Sequence, residues 1–311
     1  MYIYDRYLFS FTFSSFVYIK TSNVNPRPRR NSTEPLLPTP STEPTEDIHQ
    51  PNSNFPLANM GVSLSTARVI APASFLIDFA CQLYGMLSSP NMKDIHDANP
   101  CSFSPQPFAI AGFFTPQQVL QLIWLRELFR SDRQVEGNTL KYAPWYALGN
   151  GCIAIWMLFW NKNNLKGSNV LVMINTLTQL YYTFFLRDPA PRSYQSKLTN
   201  AVNITFAGVG VLDLFHNLTA AYFPSIPPNL LVKIVTPLIS LLTAVSSPLL
   251  FSTCIAYDLF GVAVGQHQLA AKALNGLGGG GGEGWARLLG GVGLGVVGIV
   301  GARAYGGAKW V

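Results

Sequence analysis

From residue 60 onward the chain alternates long apolar runs with short polar ones. Six runs reach the roughly 20 residues that an α-helix needs to cross a bilayer core: 67–88, 107–125, 143–160, 168–186, 200–223 and 231–261. Charges mark their edges. Asp97 and Arg126 bracket 28 uncharged residues, Lys141 and Lys162 bracket 20, Lys166 and Arg187 bracket 20, and Lys233 and Asp258 bracket 24. This pattern predicts an all-α fold, a polytopic transmembrane helix bundle of six spans over residues 60–265, with the lipid bilayer as its first partner. The last run contains Pro237 and Pro248 and is longer than one perpendicular span, which predicts a tilted or kinked helix.

The ends of the chain read differently. Residues 1–59 open on an aromatic run, Tyr7 to Ile19, too short for a span and without a small-residue cleavage site. Residues 25–59 are rich in Pro, Ser, Thr and Glu, repeat the tetrapeptide STEP, and read as a disordered region. Met60 begins "MGVSLS", a myristoylation pattern if translation starts there and a chance match otherwise. At the other end, residues 266–311 hold five consecutive glycines and then "LLGGVGLGVVGIVGA". That stretch is either a short seventh membrane element, with Gly291 and Gly295 as a small-residue contact face, or a loosely held tail.

Composition agrees with a membrane solvent: 12% of the 311 residues are charged and 49% are hydrophobic. The basic residues are asymmetric. The amino-terminal segment, the second loop (Arg126, Arg130, Arg133, Lys141) and the fourth loop (Arg187, Arg192, Lys197) hold thirteen, against four in the alternate loops (Lys93, Lys162, Lys166, Lys233). The positive-inside rule then places the amino terminus in the cytosol. The net charge of +6 forms no basic stripe with interleaved aromatics, so no nucleic-acid partner is expected. Cys81, Cys101, Cys152 and Cys254 are scattered and form no CxxC pair, and His49, His96 and His267 have no ligand spacing. Neither a disulfide framework nor a metal site is expected. Gly293, Gly295 and Gly298 match G-x-G-x-x-G without a preceding strand or a following acid, so no dinucleotide cofactor is expected. The sequons at Asn31, Asn203 and Asn217 fall in the cytosolic region or in a span, where no glycosylation is expected.

The chemistry lies in polar residues within spans. Ionised Asp at the bilayer centre costs about 2.5–3.5 kcal/mol on insertion scales, so such residues face the bundle interior. Asp78 has Gln82 one turn on, and Asp213 has His216 three residues on, a pair able to hold or pass a proton or bind a polar ligand. Asp258, after Tyr257, reads as an interfacial anchor in reach of water. In "SFSPQPFAIAGFFTPQQVLQLIWL", Pro107 begins the second span, Pro116 should kink it, and Gln117 and Gln121 share one face turned to the interior, alongside Asp213 and His216. Trp145, Trp156 and Trp160 bracket the third span as an interfacial belt would, with Tyr181 and Tyr182 at the end of the fourth.

The order "NPCSFSPQPFAIAGFF", "LIWL", a basic loop and "YAPWYALGNGCIAIWMLFW", with Trp124, Trp145, Trp156 and Trp160, resembles the tryptophan-rich sensory and translocator protein class over residues 98–186. The resemblance implies a helical bundle of five spans with a pocket for porphyrins or sterols; six spans are read here. Two functions follow from these readings. One is the binding or transport of a small, mainly apolar ligand held by Asp213, His216, Gln117, Gln121 and Asp78. The other is a non-catalytic membrane scaffold, a second copy of the chain among its partners, in which those residues only fix helix packing. No nucleophile and base pair and no paired metal ligands appear, so enzymatic chemistry is not expected.

Overall fold

A computed structural model describes residues 61–130, 135–274 and 281–311. The amino-terminal reading of residues 1–59, including its disorder and sequence motifs, lies outside them. Every regular element described is helical: α1 (Leu64–Leu87), α2 (Met92–Ala98), α3 (Pro107–Leu128), α4 (Gly137–Asn161), α5 (Leu165–Tyr181, ending in a π-helical turn, Tyr182–Leu186), α6 (Tyr194–Tyr222), α7 (Leu230–Ser246), α8 (Leu249–Leu274) and α9 (Gly282–Tyr305).

Side-chain caps set most of the helix starts. Ser63, Gln106, Asn164, Ser193 and Asn229 each accept a hydrogen bond from a backbone N–H of the first turn, and Pro107 occupies the first position of α3, where its missing N–H costs nothing. Asn91 and Asp94 form a reciprocal capping box on the short α2. The helix α3 runs unbroken through Pro116.

Among the described residues, five helices are long and apolar enough to cross a membrane: α1, α3, α6, α8 and α9. They divide by burial. In α6 and α8, 72% and 67% of the most apolar stretch is buried inside the protein, against 28% in α1 and 22% in α3. The first two helices are therefore central. The outer two turn Leu76, Ile77, Phe79, Leu83, Leu122 and Ile123 outward, an apolar surface that water does not favour and lipid does. The expected third and fourth spans lie within α4 and α5, which are not among the five. Their interior positions carry Asn150, Asn169, Asn175, Thr176 and Gln179, side chains that lower hydropathy.

The expected sixth span, 231–261, is not one helix. It breaks at Ser247 and Pro248 into α7 and α8. The Ser247 N–H closes α7 on the Thr243 carbonyl, and Pro248, unable to donate to α7, begins the next helix by accepting from the Ser252 N–H. Arg303 of α9 stabilises the break by donating to the carbonyls of Ala244 (2.6 Å) and Ser247 (2.8 Å), which the end of α7 leaves without helical partners.

The glycine-rich end is a full 24-residue helix rather than a loose tail. Its Trp285, Leu289, Val292, Val296 and Val300 join Leu212 of α6 and Phe251, Ile255, Leu259 and Val262 of α8 in one apolar cluster. The helix α8 continues past residue 265, where the bundle was expected to end. Of the expected interfacial belt Trp145 is half-buried, but Trp156 and Trp160 of that belt, with Trp124, lie inside the bundle. All three are buried, and their indole N–H groups donate to Thr199 Oγ1 (3.0 Å), Asn217 Oδ1 (2.8 Å) and the Met92 carbonyl (3.1 Å). Tyr182 is buried as well. An indole placed between helices satisfies its donor there and contributes packing area that lipid contact would forgo.

Candidate functional site

The polar residues inside the bundle fall into two kinds. Some are spent on helix contacts. Tyr142 donates to Gln179 (3.0 Å), Gln179 to the Trp145 carbonyl (2.9 Å), Thr183 to Asn203 (2.9 Å), and Asn217 accepts from both Trp156 and Ser168 (2.9 Å). The sequon residues Asn203 and Asn217 are thus buried and engaged. Others have no partner: both amide atoms of Gln117 and of Asn175, both carboxylate oxygens of Asp258, and Nε2 of His96 and of His216.

The expected site residues are all buried, but the fold does not gather them into one place. Asp78 and Gln121 meet around α4. Tyr146 donates to Gln121 (2.7 Å), Gln82 donates to Asp78 (3.3 Å), and the charge of Asp78 reaches Tyr146. Gln117, one turn before Gln121, is equally buried and unpartnered.

Three contacts fix α3 and its leading loop antiparallel to α6: Thr219 on Cys101 (3.0 Å), Phe215 on Phe103 (ring centres 5.3 Å apart) and Thr199 on Trp124 (3.0 Å). Counting along that register sets Gln117 and Gln121 level with about residues 202–206 of α6, roughly 10–16 Å along the axis from Asp213. They do not stand alongside Asp213 and His216.

Nor does Asp213 hydrogen-bond to His216. The imidazole of His216 packs instead on His96 (ring centres 5.2 Å apart) and Trp160 (5.4 Å). Among the described residues the Asp213 side chain makes no hydrogen bond, and Asp258 lies on α8, which packs on α6 where Gly208 abuts Cys254. Asp258 is 6% exposed, so it is no interfacial anchor. The continuation of α8 through Gly265 places it well inside a 26-residue helix. Sequence reading missed His96, because α2 looks like loop; the one available signal was the Asn91 and Asp94 capping pattern.

His96 and Asp97 belong to α2, outside the spanning helices. Burial holds the His96 imidazole below its ordinary value near 6.5, with the hydrogen bond and charge of Asp97 and the backbone of Pro105 opposing and Lys93 assisting. Burial pushes Asp97 up, but hydrogen bonds and charge from Lys93 and His96 outweigh it and leave Asp97 below its ordinary range. Both groups therefore take up protons more readily in the unfolded chain. Their stabilisation is complete above about pH 6.5 and is lost as the pH falls through the folded values, His96 first. Thermal unfolding in detergent should show a lower Tm at about pH 5 than at about pH 7.5, with a shallower slope in His96→Gln. An unchanged slope in that variant would refute the assignment.

Among the described residues, no group of three or more His, Cys, Asp or Glu side chains gathers to hold a metal ion. Fold and interior together define a class: an all-helical bundle, compatible with a multi-pass membrane protein, with unpaired polar groups in its centre. Compared with family models, curated proteins and solved structures, the chain matches none.

Proposed function

We propose that the protein is a multi-pass integral membrane protein whose bundle binds or carries a small, mainly apolar ligand bearing at least one polar group. The supporting observation is the split between engaged and unengaged polar side chains. A scaffold needs interior polar groups only as helix contacts, and Trp156 with Asn217 or Tyr142 with Gln179 serve that purpose. Gln117, Asn175, His216 and Asp258 make no such contact with their orphaned atoms, and an unsatisfied polar group away from water costs about 1–3 kcal/mol. Groups that lower stability without joining helices fit a site for something that visits the interior. Asp78 and Gln121, already hydrogen-bonded, take the packing part in this reading, and Gln117, Asp213 and His216 the ligand part. The six-span count becomes a bundle in which α4 and α5 cross beside the five apolar helices, and the basic-residue asymmetry supports a cytosolic amino terminus.

The test is thermal stability of the detergent-purified protein against porphyrins, sterols and amphiphilic metabolites, beside Asp213→Asn and His216→Ala. A ligand at a hundred times its Kd should stabilise the wild type by about 2.7 kcal/mol through mass action, and should stabilise the variants less. No shift across the panel, with both variants merely less stable, would turn the conclusion to the scaffold.

A further inference from the structure

The interior of the bundle is acidic and has no base to match. Among the described residues Asp78, Glu127, Asp213 and Asp258 are buried, while every lysine is exposed and no arginine is buried. The half-buried arginines are committed elsewhere. Arg68 donates to the Leu128 carbonyl (2.7 Å), Arg187 to those of Thr183 (3.2 Å) and Asp188 (3.4 Å), and Arg303 to those of Ala244 and Ser247. Arg130 reaches Glu127 (3.4 Å), and Gln82 donates to Asp78 (3.3 Å). Both oxygens of Asp258 are left without a donor.

The orphaned atoms carry the same bias. Of the buried side-chain atoms without a partner, eight are carboxamide or carboxylate oxygens and only two are amide nitrogens. The remaining two are histidine Nε2 atoms, and that of His96 is an acceptor, because its Nδ1 lies 3.2 Å from Asp97 and donates there. What this interior lacks is donors and positive charge.

Helix packing places Asp258 where three helices meet. Cys254, Asp258, Gly261 and Gly265 lie on one stripe of α8, spaced by one turn at a time. Cys254 abuts Gly208 of α6, and a methyl added at Gly261 would lie 3.4 Å from that of Ala109 on α3. Gly265 meets the backbone just before α3, and Tyr257 donates to the Ala109 carbonyl (2.7 Å). Asp258 therefore faces the junction of α3, α6 and α8. From Pro107 to Trp124, α3 brings no ionisable residue to it.

We propose that the ligand is a lipophilic amine, held with its protonated nitrogen on the Asp258 carboxylate. An ammonium group supplies N–H donors to both orphaned oxygens and cancels a charge that nothing in the protein cancels. A hydroxyl satisfies one oxygen and leaves the charge, and an anionic ligand meets only acids of its own sign. A metal ion finds too few ligands, since no group of three or more His, Cys, Asp or Glu side chains gathers among the described residues. The proposal rests on the ligand reading above and names the class of that ligand.

The test is isothermal titration calorimetry of the full-length protein in a nonionic detergent, at neutral pH and against empty micelles. The probes are the primary amine, the alcohol and the carboxylic acid on each of three hydrocarbon skeletons: adamantyl, decyl and naphthyl. On the skeleton that binds best, the amine should bind at least about tenfold more tightly than the alcohol, because charge-assisted hydrogen bonds are roughly twice as strong as neutral ones, and the acid should bind weakest. Asp258→Asn should weaken the amine at least about tenfold and leave the alcohol within about threefold, since it keeps a hydrogen-bonding group and removes the charge. An alcohol or acid that binds as tightly as the amine, or an amine unaffected by both Asp258→Asn and Asp258→Val, would overturn the assignment and leave the ligand reading standing. If neither variant folds, the ranking in the wild type still decides. Binding by none of the nine probes would also overturn it, and the ligand reading falls with it only if the porphyrins, sterols and metabolites are silent too.

Discussion

Gly265→Ala is expected to destabilise the protein by about 3 kcal/mol, the upper part of the usual overpacking range. The methyl group would meet backbone rather than a yielding side chain: the carbonyl oxygen of Ser104, the carbonyl carbon of Pro105, and the Gln106 nitrogen at 2.6 Å. That backbone cannot retreat easily. The Gln106 N–H donates to the Gly261 carbonyl (2.9 Å), Gln266 donates to the carbonyls of Cys101 (2.9 Å) and Ser104 (3.2 Å), and Trp285 donates to the Ser102 carbonyl (2.7 Å). The comparison is Gly291→Ala on α9, where an added methyl meets nothing within 4 Å. There alanine should gain up to about 1 kcal/mol from helix propensity. Thermal unfolding of both variants in one detergent measures the contrast, and equal effects would mean that the loop before α3 does not lie against α8.

The second large effect has the opposite sign. Asp258→Val is expected to stabilise the folded bundle by about 1–3 kcal/mol, because it removes two buried oxygens that have no partner. A loss of stability comparable to that of Gly265→Ala would show that Asp258 is a packing residue.

How legible these features were depends on how local their causes are. The helices at 64–87, 107–128, 137–161 and 194–222 follow from runs of apolar residues ended by caps and charges, information carried within a few turns of chain. The break at Ser247 was half legible. Pro248 announced a disturbance, but whether a proline kinks a helix or ends it depends on who satisfies the freed carbonyls, and the answer, Arg303, lies 55 residues downstream. The glycine-rich end read equally well as a span or a tail. Propensity counts against glycine in helices, and docking on α7 and α8 provides the burial that overcomes it.

Burial of Asp78, Asp213, His216, Gln117 and Gln121 was legible from their place in apolar runs, since a polar side chain there turns away from lipid. Their partners were not. Helical spacing put Asp213 beside His216, yet the two make no hydrogen bond and the His216 ring packs on His96 of α2 instead. The chain alone thus establishes an all-helical protein suited to an apolar solvent with costly polar groups in its interior, because hydropathy and spacing are properties of the chain. Which of those groups are spent on packing and which are left for chemistry is settled between helices, where register and close glycine contacts choose each side chain's neighbour.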